Sequence, residues 1–131
     1  MPQQPIELIL LRQWASYVSV PVWLMDHEGN LVYYNDPAGV LVGREYDFAD
    51  QITAEQMGSL FQVRRLDGTP LENDEIPIVV AVTARRPSHG RISFMGLDKK
   101  WREIDVTAFP IERPSGDMLG AVAVFWESGV K

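Results

Sequence analysis

The chain contains no cysteine among its 131 residues. That excludes disulfides, thiolate metal sites, cysteine nucleophiles and cysteine-linked chromophores together, and it fits a reducing compartment. Only two histidines are present, too few for a His-rich metal site, and no glycine-rich phosphate cradle occurs. No apolar run approaches the ~20 residues that a bilayer-spanning helix needs, and the start, Met-Pro-Gln-Gln-Pro, lacks the basic opening of a signal peptide. Basic residues are outnumbered, 12 against 18 acidic, for a net charge of −6. Such a chain repels a phosphate backbone, so nucleic-acid binding is not expected. These absences point to a cytoplasmic protein with neither nucleic acid nor membrane among its partners.

What is present is the balance of a globular protein, 46% hydrophobic and 23% charged, in a length that suits one domain. Pro5 opens a helix in which Ile6, Ile9, Leu10, Trp14, Tyr17 and Val18 recur at helical spacing. Leu8, Leu11 and Ala15 widen the apolar surface beyond one stripe, either because the helix sinks into its own core or because it is shared with a second subunit. Residues 22–26 and 31–35 read as a hairpin around His27-Glu28-Gly29-Asn30. Both parities of that hairpin are apolar, so both faces should be covered. Asp36-Pro37 caps a short helix that Gly43 can end, and Thr53-Ala54-Glu55-Gln56 is a capping box for another, carrying Met57, Leu60 and Phe61.

The run from Ile76 to Val82 is nearly all apolar. Its β-branched residues favour a strand, but Pro77 is tolerated in a first helical turn and costly in a sheet. Asn73-Asp74-Glu75 adds caps and negative charge at the start, so a helix from Ile76 to Arg86 is expected. Residues 91–97 and 102–111 alternate as strands around Asp98-Lys99-Lys100. Ile92, Phe94, Ile104, Val106 and Ala108 fall on one face, and Arg91, Ser93, Glu103, Asp105 and Thr107 on the other. If Leu97 faces Trp101, Phe94 faces Ile104. Residues 119–126 are apolar on both parities. One sheet satisfies all of this: three double-faced strands covered on their outer side by the N-terminal helix, and two single-faced strands open to water.

Several stretches, in this order and spacing, resemble a PAS domain from Trp14 to Ser128. Asp26-His27-Glu28-Gly29-Asn30-Leu31-Val32-Tyr33-Tyr34-Asn35 is similar to the family's first hairpin. Pro37-Ala38 with Leu41 and Gly43 resembles the helix after it. Asp67-Gly68-Thr69-Pro70-Leu71 with Glu75-Ile76-Pro77 resembles the run into the central helix, and Gly120 followed by Glu127 the last strand. Trp126-Glu127-Ser128 stands where many members have Asp-Ile-Thr. The resemblance implies an α+β fold, a five-stranded antiparallel sheet of order 2-1-5-4-3, with short helices on one face and an N-terminal cap helix on the other. It divides the chain into a cap or dimerisation helix, 1–20, and the PAS domain, 21–131.

The family includes haem, flavin and small-ligand binders and members that only pair with proteins. Covalent flavin chemistry of the light-sensing branch needs a cysteine on a short helix, which is lacking here. Oxygen-sensing haem members use a histidine on the central helix, whereas His27 and His89 fall in a turn and a loop and are expected at the surface. The paired arginines, Arg64-Arg65 and Arg85-Arg86, are expected to be solvated. No cofactor, metal or catalytic residue is therefore expected, and the chain reads as a signalling module rather than an enzyme. The candidate ligand walls are Leu24, Tyr33, Met57, Phe61, Val80, Ala84, Phe94, Val106 and Val124, enclosing either a small apolar ligand or a filled core; Tyr33 and Thr83 could offer hydroxyls. A homodimer is expected through Ile6, Ile9, Leu10, Trp14, Trp23, Met25, Tyr34 and Trp126, with output through a signalling partner in trans because the chain ends soon after its last strand. The alternatives are a pure dimerisation adaptor without ligand and, less favoured, a cone-shaped enzyme of the ketosteroid-isomerase type, whose helices usually precede most of its strands.

Overall fold

The computed structural model describes residues 5–43 and 62–128; the capping box at 53–56, Met57 and Phe61 lie outside them. Helix α1 (Ile6–Ala15) leads into β1 (Val22–Asp26) and β2 (Leu31–Tyr34), followed by α2 (Asp36–Val42). A two-residue strand β3 (Val63–Arg64), a 3-10 turn (Asn73–Glu75) and α3 (Pro77–Ala84) come next. Strands β4 (Ser88–Met95), β5 (Trp101–Glu112) and β6 (Met118–Glu127) close the chain. All pair antiparallel in the order β2-β1-β6-β5-β4-β3. This is the expected order with one addition: Val63 and Arg64 pair with Phe94 and Ser93 at the edge.

Helix α1 is shorter than its apolar pattern suggested. It closes at Ala15, where the Ser16 hydroxyl donates to the Gln13 carbonyl (2.6 Å) and the Tyr17 amide to Trp14 (3.0 Å), tightening the last turn. The central helix is shorter too. Asn73–Glu75 form a separate 3-10 turn, Pro77 takes the first helical position, and Arg85 ends α3 in the left-handed region (φ 55°). Arg85 is not simply solvated, since its Nη1 donates to Glu112 Oε2 (3.0 Å) and the Gly116 carbonyl (2.7 Å).

The sheet divides two cores. On its inner face α2 and α3 bury Ala38, Leu41, Ile78 and Ala81 against Met25, Ile92, Phe94, Ile104, Val106 and Phe125. On its outer face α1 buries Leu8 and Ala15 against Val22, Leu24, Val32 and Val122. The outer side of β4 and β5 carries Arg91, paired with Asp105 (3.0 Å), beside Glu103 and Thr107, as alternation required.

Two irregularities decide which residues face which way. Between β5 and β6 the register shifts between Ile111 and Glu112. A bulge of one residue turns every later side chain to the other face, so Val106 lies opposite Phe125 rather than Val124. Between β1 and β2 a similar shift follows Leu24, and Val32 and Tyr33 both lie on the α1 side. The β4–β5 register is displaced by two residues from expectation, with Phe94 opposite Arg102 and Ile92 opposite Ile104, which leaves every side chain on its expected face.

The β4–β5 turn holds a compact ion pair. Asp98 accepts from Arg102 Nη1 and Nη2 (3.1 and 2.8 Å) and from the Lys100 amide (3.2 Å). The turn also meets α2, because the Leu97 amide donates to the Val42 carbonyl (2.6 Å). Arg102 and the Lys100 amide hold the Asp98 carboxyl at about 2, below its ordinary 3.8. A carboxyl depressed by folding stabilises the fold fully above its unfolded value and loses that contribution as pH falls through the folded value. Melting temperature measured from pH 5 to pH 2 should therefore fall less steeply for Asp98→Asn than for the parent. Parallel curves would show that the pair contributes nothing to acid stability.

Candidate functional site

A cavity of about 340 Å³ lies between α3 and the inner face of the sheet. Helix α3 is short and apolar nearly all round, so it can bury one side on the sheet and present another apolar side to this space. Ile78 and Ala81 form the buried seam that seats the helix. Val79, Val82 and Thr83, spaced i, i+3 and i+4, line the cavity from above. The floor comes from Trp23 and Met25 on β1, Ile92 and Phe94 on β4, Ile104 and Val106 on β5, and Ala123 and Phe125 on β6. The β1–β2 turn supplies the mouth through His27, Glu28 and Gly29. Asp26 shapes this turn by accepting from the Glu28 and Asn30 amides (both 2.9 Å), and Gly29 takes φ 87°.

Of the expected ligand walls, Phe94 and Val106 line this cavity. Leu24, Tyr33 and Val124 do not: the two bulges place them on the outer face under α1. There the Arg12 guanidinium sits 5.3 Å over the Tyr33 ring, and burial, then Asp36, raises the Tyr33 phenol above its usual range. Val80 and Ala84 are also misplaced, because the helical phase set by Ile78 and Ala81 turns them roughly 100–140° away from Val79; Ala84 is exposed. Thr83 reaches the lining as expected, though its hydroxyl donates to the Val79 carbonyl (2.9 Å).

The expected interface residues divide in the same way. Ile6, Ile9, Leu10 and Trp14 are exposed on α1, and Trp126 is exposed on the outer face. Trp23, Met25 and Tyr34 belong instead to the inner core, where the Trp23 and Tyr34 rings stack at 5.4 Å. His27 is exposed in the β1–β2 turn, as expected, and also lines the cavity mouth. His89 lies on β4 rather than in a loop, and is exposed. Arg65 is paired: Glu75 accepts both its Nη2 contacts (2.7 and 2.6 Å). Arg64 lies 4.3 Å over the Trp101 ring.

Asn35 is the one buried polar side chain of the described core. Its Oδ1 accepts from the Val22 amide (3.0 Å) and the Ala38 amide (3.1 Å), capping α2. Its Nδ2 donates to the carbonyls of Ala15 (2.9 Å) and Val20 (2.8 Å). One amide thus joins the end of α1, the start of β1 and the start of α2. Among the described residues no group of three or more acidic or histidine side chains could hold a metal, and no helix is long and apolar enough to cross a membrane.

No protein-family model matches the sequence, and no curated protein does. Solved structures resemble it in fold. A PAS domain from Colwellia psychrerythraea superposes with a TM-score of 0.63 at 20% identity, over 92% of this chain and 96% of that one. The LOV protein of Rhodobacter sphaeroides gives a TM-score of 0.71 at 13% identity, over 95% and 69%. The PAS domain of nitrogen regulation protein NR(II) from Vibrio parahaemolyticus gives 0.61 at 14%, over 90% and 97%. With the strand order and the two-sided helix packing found above, these likenesses establish that the chain adopts the PAS fold.

Proposed function

We propose that this protein is a non-enzymatic sensory module that takes a small, largely apolar molecule into the cavity beneath α3 and acts on a partner protein as a homodimer. The cavity carries this reading. Protein interiors are close-packed, and about 340 Å³ of apolar space lies within the range of small-molecule sites, roughly 300–1,000 Å³. A catalytic carboxylate of the isomerase type would have to stand inside it. Glu28 is the one acidic side chain among the described lining residues, and it is 70% exposed at the mouth, which supports binding over turnover.

The dimer reading rests on α1. Leu8 and Ala15 are wholly buried against the sheet, while Ile6 (65% exposed), Leu10 (57%) and Trp14 (46%) face outward. A second copy suits this uncharged stripe, because an isologous contact sets the same patch against itself. Ten helical residues span only ~15 Å, too little for a stable interface of about 1,000 Å² or more. Phe109 and Trp126, exposed on the outer sheet face, would extend it.

Native mass spectrometry of freshly purified protein tests both parts. The expected species is a dimer carrying a small extra mass. A dimer of clean apo mass, with no thermal stabilisation by any apolar fragment, would favour the adaptor and sink the sensor. Monomer alone at high micromolar concentration would remove the dimer.

A further inference from the structure

We infer that the cavity discriminates by charge, admitting apolar molecules that end in a cationic or hydrogen-bond-donating nitrogen and rejecting carboxylates and phosphates of the same shape. This rests on the ligand-binding reading above and specifies its ligand. Among the described residues no lysine or arginine lines the cavity. Among the described residues its polar side chains are His27, Glu28, Thr83 and the indole of Trp23. The Thr83 hydroxyl spends its proton on the Val79 carbonyl, so it offers an entering molecule lone pairs alone. Glu28 offers only acceptors, and its Oε1 lies 4.0 Å from His27 Nε2. Glu28 and Thr83 thus present acceptors, the His27 ring carries an N–H donor, and the Glu28 carboxylate gives the mouth formal negative charge.

Arg65, on the segment after the cavity-lining Val63, is held by Glu75, by Thr69 Oγ1 (3.2 Å) and by the Pro70 carbonyl (3.0 Å), so its charge is already engaged. An anion entering here would surrender its hydration to aliphatic and aromatic walls that hold no compensating cation among the described residues, which is costly. An ammonium or N–H group at the mouth would meet the Glu28 carboxylate, with its apolar body among Trp23, Phe94 and Phe125. Aromatic rings tolerate a cation far better than an anion.

Benzylamine, benzyl alcohol and benzoate share size and shape and differ in the charge of one end. Ligand-observed NMR titrations of the full chain at pH 7.5 and low salt should rank them in that order. Because Glu28 is exposed, benzylamine should exceed benzoate by about ten-fold at most, and 0.5 M salt should compress the ratio. Glu28→Gln, in an exposed turn, should bring the ratio to about two-fold or less and leave benzyl alcohol unchanged. Val82→Trp, which fills the cavity, should abolish all three. Equal binding of the three by the parent overturns the charge rule and leaves the ligand-binding reading intact. Benzoate binding as tightly as benzylamine, or a preference for the amine surviving Val82→Trp, also overturns it. Binding of none of the three counts against both readings.

Discussion

Replacing Asn35 with leucine should cost the fold about 3–5 kcal/mol, a large share of the roughly 5–15 kcal/mol that holds a domain together. The side chain is 2% exposed and makes four hydrogen bonds. Leucine has similar bulk, so no large cavity opens. The loss lies in the partners: the amides of Val22 and Ala38 and the carbonyl of Ala15 lose a partner in a buried place, and the Val20 carbonyl loses one in a partly buried place. Each such group costs about 1–3 kcal/mol, and local adjustment recovers part of it. Aspartate separates the two halves of the network. It retains the acceptor for Val22 and Ala38 but sets an oxygen against two carbonyls, so it should be nearly as damaging as leucine. In thermal denaturation both variants should melt about 10–20 °C below the parent. A melting temperature within a few degrees for Asn35→Leu would show that this junction is not a main support of the fold.

Gly120→Ala is the second large effect. Gly120 lies on β6 opposite Asp26 of β1, in the middle of the sheet, with φ 154°. A Cβ there would collide with the Met25 carbonyl oxygen and approach Asp26 Cα and Met25 C within 3.1 and 3.2 Å. All three are backbone atoms of a paired strand, so no side chain can swing aside. The strands must part or the local twist must change, at about 2–4 kcal/mol for one methyl group. Gly68 supplies the comparison. It also has a positive φ, 93°, but nothing lies within 4 Å of its would-be Cβ, so Gly68→Ala should pay only backbone strain, about 1 kcal/mol. Equilibrium urea unfolding of the pair isolates the collision. Equal losses would mean that the β1–β6 contact yields more readily than its geometry indicates.

The parts of this fold legible in the sequence are those where one face of a strand is polar. Ile92, Phe94, Ile104, Val106 and Ala108 could be assigned to the core because Arg91, Glu103 and Asp105 alternate with them, and an error of two residues in register left them there. On β1, β2 and β6 both parities are apolar, so the pattern names the strands and not their faces. The bulges at Ile111/Glu112 and beyond Leu24 set those faces through backbone geometry that hydrophobicity does not encode. That is why Trp23 and Met25 exchange places with Leu24, Tyr33 and Val124. Gly120 marked the neighbourhood, since a glycine inside a strand signals a bulge or a close backbone approach. On α3, an apolar surface nearly all round hid the helical phase, and the small residue Ala81, which lets the helix sit close to the sheet, was the available clue. His27 was assigned to a surface turn, and that turn proves to be the rim of the cavity.

Asn35 also bears on how the protein opens. Its two Nδ2 bonds reach the end of α1 and the residues after it, while its Oδ1 holds the first turn of α2 and the first amide of β1. A helix laid on a sheet by apolar contact alone can lift off by itself, at a free energy well below that of global unfolding. Here, lifting α1 strands the same amide that caps α2. Release of the N-terminal helix therefore breaks a bond to the very side chain that caps the helix across the sheet, and the two cores, separated by a layer of strands, share one junction.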